Sequence, residues 1–177
     1  MRGTDDQPRP LALPPTRSAA VSTLFHLHCR RLVGLAGLLV EDRETAEEVV
    51  QDAFESLYRH WGSLRDPSSA VAYLDRCVVY GSRTKARRRS TERAYVWPEA
   101  GTERSAEAVG VASGARDDLI AAVRQLPQRQ REVIVLRYFL DLSEDQIAQW
   151  LGVSAGSVKK HSSRATAALH RRMGAWA

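Results

Sequence analysis

Five hydroxyl-bearing and cationic side chains recur near the C-terminal end of the chain: Ser157, Lys159, Lys160, Ser163 and Arg164. Helical spacing would separate them from the apolar residues Val158, Ala165 and Leu169, so that they share one outer surface. Lysine and arginine donate hydrogen bonds to phosphate oxygens and to guanine, and a major groove is wide enough to admit one helix. This pattern predicts recognition of duplex DNA.

A second cluster of aromatic and cationic residues lies in the middle of the chain. Its members are Tyr73, Arg76, Tyr80, Arg83, Lys85, Arg87 and Arg88. Cationic groups can hold the backbone of a displaced strand while aromatic rings stack on its unpaired bases, so the cluster suits single-stranded nucleic acid. For Tyr73, packing in the core is an equally good interpretation. For 87–89, a solvated helix end is the less favoured alternative because so many basic residues lie together.

The DNA-reading residues fall on the second of two helices joined by a tight turn. Ser143 and Gln146 have the spacing of a capping box at the start of the first helix. Gly152 stands where the chain would leave that helix with a positive φ, and Ser154 can cap the next helix. Val158 is expected to be buried on the inner face of that second helix. The spacing predicts a helix-turn-helix, and an ordinary helical hairpin with a solvated basic face is the less favoured interpretation.

The rest of the chain also follows the helical period, and no segment alternates convincingly as a strand. We expect an all-α protein of two small helical domains joined by a flexible linker, with the helix-turn-helix in the second domain. Asp42 is the expected N-cap of the second helix. The expected segments are a disordered leader over 1–19, a first domain over 20–90, a linker over 91–115 and a second domain over 116–172.

Composition excludes some classes of protein. The net charge of +5 is weak evidence for nucleic-acid binding, but 41–55 is acidic and 83–93 basic, so one region should repel DNA and another attract it.

No apolar run reaches transmembrane length, and we expect a cytoplasmic protein without membrane insertion. Cys29 and Cys77 are expected to be buried free thiols. The segment HLHC predicts no metal site because its histidines project from opposite sides of a helix, and no cofactor is implied.

Three stretches resemble regions of a bacterial sigma factor of the extracytoplasmic-function type (ECF, group IV), closest to the actinobacterial SigE-like group. LPQRQREVIVLRYFLDLSEDQIAQWLGVSAGSVKKHSSRA resembles region 4, which in that family reads the −35 promoter element. AYLDRCVVYGSRTKARRR resembles regions 2.3 and 2.4, which open and hold the −10 element. The resemblance therefore implies that the C-terminal set contacts the −35 element and the central cluster the −10 element. Relatives commonly carry Asn where this chain has Tyr80, which bears on the −10 preference.

AEEVVQDAFESLYRHW resembles region 2.2, the surface with which that family grips the clamp helices of the polymerase β′ subunit. The resemblance implies Asp52 and Phe54 as attachment residues: a carboxylate for basic clamp residues, and an aromatic ring that should be exposed because it falls beside the main apolar stripe. The alternatives are a helix-surface charge and a core aromatic. By the same resemblance, the turn SLRDP, 63–67, captures a flipped −10 base.

The partners implied by the resemblance are core RNA polymerase, through its β′ clamp and β flap, and promoter DNA. An anti-sigma factor is a further partner that the sequence leaves open. We expect a non-enzymatic factor that directs core polymerase to promoters and helps to melt them.

Two other classes of protein compete with this interpretation. A stand-alone helix-turn-helix regulator would need a ligand pocket or a phosphoacceptor cluster in its first domain, and no strands are apparent to hold one. A recombinase or nuclease would need clustered metal-binding carboxylates or a positioned nucleophile, and neither is recognisable in the sequence.

Overall fold

A computed structural model describes residues 16–64, 66–95 and 114–174, and the regular structure in these ranges is helical, with no strand. Two short 3-10 turns, Trp61–Ser63 and Pro67–Ser69, separate the second and third helices. The all-α prediction is therefore confirmed. The α-helices are α1 Arg17–Leu39, α2 Arg43–His60, α3 Ala70–Tyr95, α4 Gly114–Arg124, α5 Gln128–Tyr138, α6 Glu144–Leu151 and α7 Ala155–Gly174.

The first three helices pack against one another as a three-helix unit. The predicted cap at the start of α2 is present, because the backbone nitrogen of Thr45 donates a hydrogen bond to Asp42 Oδ1 at 2.7 Å. Leu35, Leu57 and Leu74, one from each helix, are fully buried. Burial of each such side chain stabilises the fold by about 1.5–3 kcal/mol relative to leaving it in water.

The predicted helix-turn-helix is formed by α6 and α7. The backbone N–H of Gln146 donates to Ser143 Oγ at 3.3 Å, and the backbone N–H of Ser143 donates to Gln146 Oε1 at 2.8 Å. These two bonds complete the capping box. Gly152 follows α6 with φ at 65°, a left-handed conformation that costs other residues free energy. Ser154 accepts a hydrogen bond from the next turn, and Val158 is fully buried. Local pattern alone was enough to predict this motif.

The boundaries differ slightly from the expected ones. α1 begins at Arg17, inside the segment expected to be a leader. α3 continues to Tyr95, and α4 begins at Gly114, so both helices extend into the segment expected to be a linker. The remainder of the predicted leader and linker, 1–15 and 96–113, lies outside the described residues.

The two helical units share a core. α1 contacts both α4 and α5, and one continuous cluster of buried apolar side chains joins α1–α3 to Leu136, Ile147 and Val158. Arg124 Nε also donates to the backbone oxygen of Gly37 at 2.9 Å. Periodicity identifies which face of a helix is apolar but not which partner covers it, so sequence pattern predicted two units without predicting their contact.

Two features are absent from the described ranges. No helix there is both long and apolar enough to cross a membrane. The same ranges contain no group of three or more His, Cys, Asp or Glu side chains placed to hold a metal ion.

Candidate nucleic-acid interface

The outer face of α7 brings together the five residues predicted to read duplex DNA. Their side chains are exposed except for that of Ser157, which is half-buried, because Val158 and Ala165 turn the opposite face of the helix into the core. Ser157 lies in the first turn, with its hydroxyl oxygen 2.9 Å from Ser154 Oγ. Gly156 and Ala167 are exposed on the same outer face. Sequence reasoning passed over these two because neither carries a polar group.

The residues predicted to hold single-stranded DNA lie along α3, but they do not form one open surface. Tyr80 and Arg76 are exposed, and Arg87 and Arg88 are exposed further along the helix. Arg83 is different: its side chain is only 21% exposed. It points toward the second helical unit rather than into solvent.

A groove between α2 and α3, with a volume of ≈ 340 Å³, is lined by both tyrosines of the predicted set, Tyr73 and Tyr80, and by Arg76. The two interpretations of Tyr73 both have support: it is half-buried against the core, yet its ring lines the groove and its hydroxyl lies 2.9 Å from Ser56 Oγ. Burial raises the pKa of the neighbouring Cys77 thiol, so that thiol remains neutral. The groove is an apolar slot with hydroxyl groups on its wall, and its charged lining residues are the cation of Arg76 and the carboxylate of Asp52.

The acidic and basic segments, far apart in the sequence, face each other across α2 and α3. Lys85 Nζ lies 2.6 Å from Glu48 Oε1. Arg89 Nη1 lies 2.5 Å from Asp42 Oδ2 and its Nη2 donates to Thr45 Oγ1 at 3.0 Å. The expectation of one DNA-repelling and one DNA-attracting region is therefore too simple, because these two cations are already paired with carboxylates within the fold.

The predicted exposure of Phe54 is wrong. Its side chain is 6% exposed, and its ring centroid lies 5.0 Å from that of Phe25, which is itself 44% exposed. Position 54 borders the apolar stripe of α2 on the side that α1 covers. Asp52 is exposed and lines the α2–α3 groove on the other side of α2. The two residues therefore do not form the single attachment patch that the sequence suggested.

Comparison with protein families matches residues 24–92 to the Sigma-70 region 2 model and residues 116–169 to the Sigma-70 region 4 model. The RNA polymerase sigma-E factor of Streptomyces antibioticus is 34% identical over 138 residues, covering 76% of this chain and 74% of that protein. The chain belongs to the sigma-70 family. The ECF RNA polymerase sigma factor SigM of Mycobacterium tuberculosis is 32% identical over 159 residues, which cover 88% of this sigma factor and 78% of SigM.

Solved structures share the fold of this sigma factor. RpoE from Bartonella quintana, in a complex with the anti-sigma factor NepR, superimposes with a TM-score of 0.66 at 24% identity, over 86% of this chain and 96% of RpoE. CnrH, in a complex with the cytosolic domain of CnrY, gives a TM-score of 0.57 at 22% identity, over 89% of this chain and 90% of CnrH.

Both helical units therefore correspond to sigma regions, and the chain is an ECF sigma factor with SigE-like relatives that directs RNA polymerase to promoters. A stand-alone regulator is disfavoured because its first domain would not match region 2.

The turn of the sigma factor that was expected to capture a base has its own internal hydrogen bonds. Ser68 donates its backbone N–H to Asp66 Oδ1 at 2.9 Å, and its hydroxyl also bonds to that carboxylate. These bonds hold the pKa of Asp66 below its ordinary value. Arg65, in the same turn, lies outside the described residues. Each carboxylate oxygen of Asp66 thus already accepts one hydrogen bond from Ser68, and base capture by 63–67 stays a prediction.

Proposed function

We propose that α7 reads the −35 element through Ser157, Lys159, Lys160, Ser163 and Arg164. The observation that carries this proposal is the separation of roles on one helix: the apolar face is buried against α5 and α6, and the polar face is exposed except at the half-buried Ser157. A helix anchored in this way can enter a major groove without loss of core packing. The first half of α7 also follows the tight turn, as recognition helices do in this motif.

We propose that the α2–α3 groove and the exposed residues of α3 hold the displaced strand of the −10 element. Tyr80 offers an exposed ring at the edge of the groove for stacking, and Arg76 offers a cation to the backbone. Tyr73, held by Ser56, forms a fixed wall of the slot. Because Tyr80 replaces the Asn that relatives commonly carry, stacking on a base would replace hydrogen bonding at that point.

We propose that the outer face of α2 attaches to the β′ clamp, with Asp52 at its centre. Glu55 is exposed on the same helix and extends the negative charge, whereas Glu48 is exposed there but paired with Lys85. Phe54 no longer serves as an exposed anchor in this proposal, because its ring is buried; it supports the neighbouring Phe25 instead. A carboxylate surface suits basic clamp residues, and charge complementarity chiefly speeds association and aligns the partners.

We further propose that the factor acts in the cytoplasm, without catalysing a reaction, and that an anti-sigma protein regulates it. Assignment of both helical units to sigma regions supports a role in initiation rather than catalysis. The regulator is suggested by one structural neighbour, the sigma factor RpoE, whose structure was solved in a complex with the anti-sigma factor NepR. A pull-down from cells of the source bacterium, with the anti-sigma partner identified by mass spectrometry, addresses this last point.

Transcription in vitro with purified core polymerase and a promoter library tests the assignment of α7. Combined substitution of its five outer residues by alanine should relax or abolish −35 preference, because a lost bidentate contact costs about 1–3 kcal/mol of discrimination. Arg171→Ala, an exposed cation at the far end of the same helix, is the matched control. Unchanged promoter choice in the five-residue variant would contradict the proposal.

A further inference from the structure

A cavity with a volume of ≈ 240 Å³ lies where the first turn of α5 meets the three-helix unit. The end of α1, the start of α2, one side of α3 and the first turn of α5 all contribute to its lining. Leu39 and Val40 form its apolar part, and Thr45 and Gln128 bring a hydroxyl and an amide to it. Sites for drug-sized ligands measure roughly 300–1,000 Å³, so this cavity suits a more compact ligand.

Arg131 is a cation of this cavity that lacks a counter-charge. Its Nη1 donates to the backbone oxygen of Arg124 at 3.0 Å, but its Nε is buried without a hydrogen-bond partner, and the side chain forms no ion pair with another described residue. Burial lowers the pKa of the guanidinium and outweighs the nearby charges of Glu41 and Glu132, yet an arginine keeps its charge in proteins. Because burying an unpaired charge is costly, this position favours an anion.

The other charged residues that line the cavity differ from Arg131 because they have partners within the fold. Lys85 and Arg89 are each paired with a carboxylate of α2 or its cap. Glu41, the one carboxylate among the described lining residues, has its Oε2 3.9 Å from Arg89 Nη1. An anion beside Arg131 therefore gains an unpaired guanidinium without displacing an existing ion pair. Lys85 and Arg89 add further N–H donors from the α3 side.

The start of α5 adds donors of the same sign. Pro127 is the N-cap residue and makes no side-chain capping bond, and Gln128, the first residue of this 11-residue helix, lines the cavity. The first N–H groups of a helix have no partner within it, and the positive end of its dipole lies there. The helix start alone would identify no ligand, but beside Arg131 it makes the same corner of the cavity favourable for an anion.

We propose that this cavity binds a small anion of the phosphate class, such as inorganic phosphate or pyrophosphate, with Arg131 as its principal ligand. The planar guanidinium matches two phosphate oxygens at once, and such charge-assisted pairs are among the strong hydrogen bonds of proteins. A phosphate of the DNA backbone has similar chemistry, but a cavity of this size, lined from four helices, suits a free ion better than a strand. The site gives the factor a small-molecule input that does not depend on the roles assigned to α3 and α7.

Two substitutions remove the site in different ways. Arg131→Met removes the charge and keeps an extended side chain, whereas Ala86→Met keeps every charge and fills part of the cavity. Arg30→Met, at an exposed arginine of α1 that does not line the cavity, is the matched control for the loss of one positive charge. Because R131M removes an unpaired buried cation, it should fold and be at least as stable as the wild type in phosphate-free buffer. Circular dichroism checks the fold of each variant.

Isothermal titration calorimetry of the full chain with phosphate and with pyrophosphate, in phosphate-free buffer at constant ionic strength, measures binding. We expect the wild type and R30M to bind pyrophosphate equally well, and R131M and A86M to bind it about 10-fold or more weakly. The melting temperature of the wild type should rise with pyrophosphate concentration, and that of R131M should not, because only a ligand that binds the folded state stabilises it. A short single-stranded oligonucleotide, titrated in parallel, should bind the wild type and R131M alike.

Three outcomes would overturn the proposal. Equal affinity of the wild type and R131M for pyrophosphate would mean an adventitious ion only. Weaker binding by R131M with normal binding by A86M would place the anion outside the cavity. Oligonucleotide binding that falls 10-fold in R131M, with no affinity for pyrophosphate in the wild type, would assign Arg131 to the DNA backbone instead of a free ion.

Discussion

The two cationic helices of this sigma factor, α3 and α7, carry similar side chains in different states. Lys159, Lys160 and Arg164 of α7 are exposed, and none of them forms an ion pair with another described residue. On α3, Lys85 and Arg89 are paired with carboxylates of α2 and its cap. If both surfaces bind DNA as proposed, the cations of α7 are available at once, whereas Lys85 and Arg89 of α3 must exchange a carboxylate partner for a phosphate. The number of cations in a segment does not reveal that difference.

The largest expected effect comes from a substitution on the buried face of α7 rather than on its exposed outer face. Val158→Asp places a carboxylate at a fully buried position and should cost about 3 kcal/mol or more of unfolding free energy. Ala167→Asp adds the same charge to the exposed face and should leave the helix intact while repelling DNA. Urea unfolding combined with promoter binding separates the two effects. Equal loss of stability in both variants would refute the division of α7 into a supporting and a reading face.

Salt dependence of promoter binding sharpens the contrast between the helices. K160A/R164A should weaken holoenzyme binding about 10-fold or more and lower the slope of log affinity against log salt by about 2, because two exposed cations no longer release counterions. K85A/R89A should change the slope less, since their cations already have carboxylate partners. Fluorescence anisotropy at several KCl concentrations provides both slopes. Equal changes would mean that pairing within α2 and α3 does not persist in the complex.

The smallest expected effect concerns the pairing of Arg89 with the cap of α2. Burial acts to raise the pKa of the Asp42 carboxyl, but hydrogen bonds from Thr45 and Arg89, with the Arg89 charge, outweigh it and hold the pKa below the ordinary 3.8. Because the folded-state pKa is depressed, this stabilisation is complete above the ordinary value and is lost as pH falls through the folded-state value.

Asp42→Asn removes the titrating charge and keeps a capping side chain. It should lower the free energy of unfolding at pH 6, and the deficit should shrink at pH 3. Asp42→Ala also removes the cap and should cost about 1 kcal/mol more at both pH values. Urea titrations of the three proteins provide the comparison, and a deficit of D42N that does not change with pH would exclude a role for the ionised carboxylate.

Local features of the fold could be predicted from the sequence because their causes lie within a few residues. The cap at Asp42, the capping box of Ser143 and Gln146, and the turn at Gly152 each depend on side chains in the same short segment. The outward position of the α7 set follows from the period of a single helix. Its role at the −35 element stays a prediction until promoter choice is measured.

Other features depend on partners distant in the chain, and sequence pattern did not reveal them. Phe54 is buried because α1 packs against the edge of the apolar stripe on α2. The sequence pattern of α2 alone does not show how far beyond this stripe a neighbouring helix extends. Arg83 meets Trp150 and Leu151 from a different helical unit. Its residue type suits a nucleic-acid phosphate and a helix C-terminus equally well, so only the tertiary arrangement distinguishes the two uses.

The division of α7 into a buried and an exposed face also bears on how such factors diversify. Residues such as Lys160, Ser163 and Ala167 do not contribute to the buried core, so they can change without loss of stability. If this face reads the −35 element as proposed, a duplicated gene could acquire a new promoter preference through a few substitutions on one surface. On that proposal, copies of the same scaffold could serve separate regulatory circuits in one cell and differ in −35 preference through the outer face of a single helix.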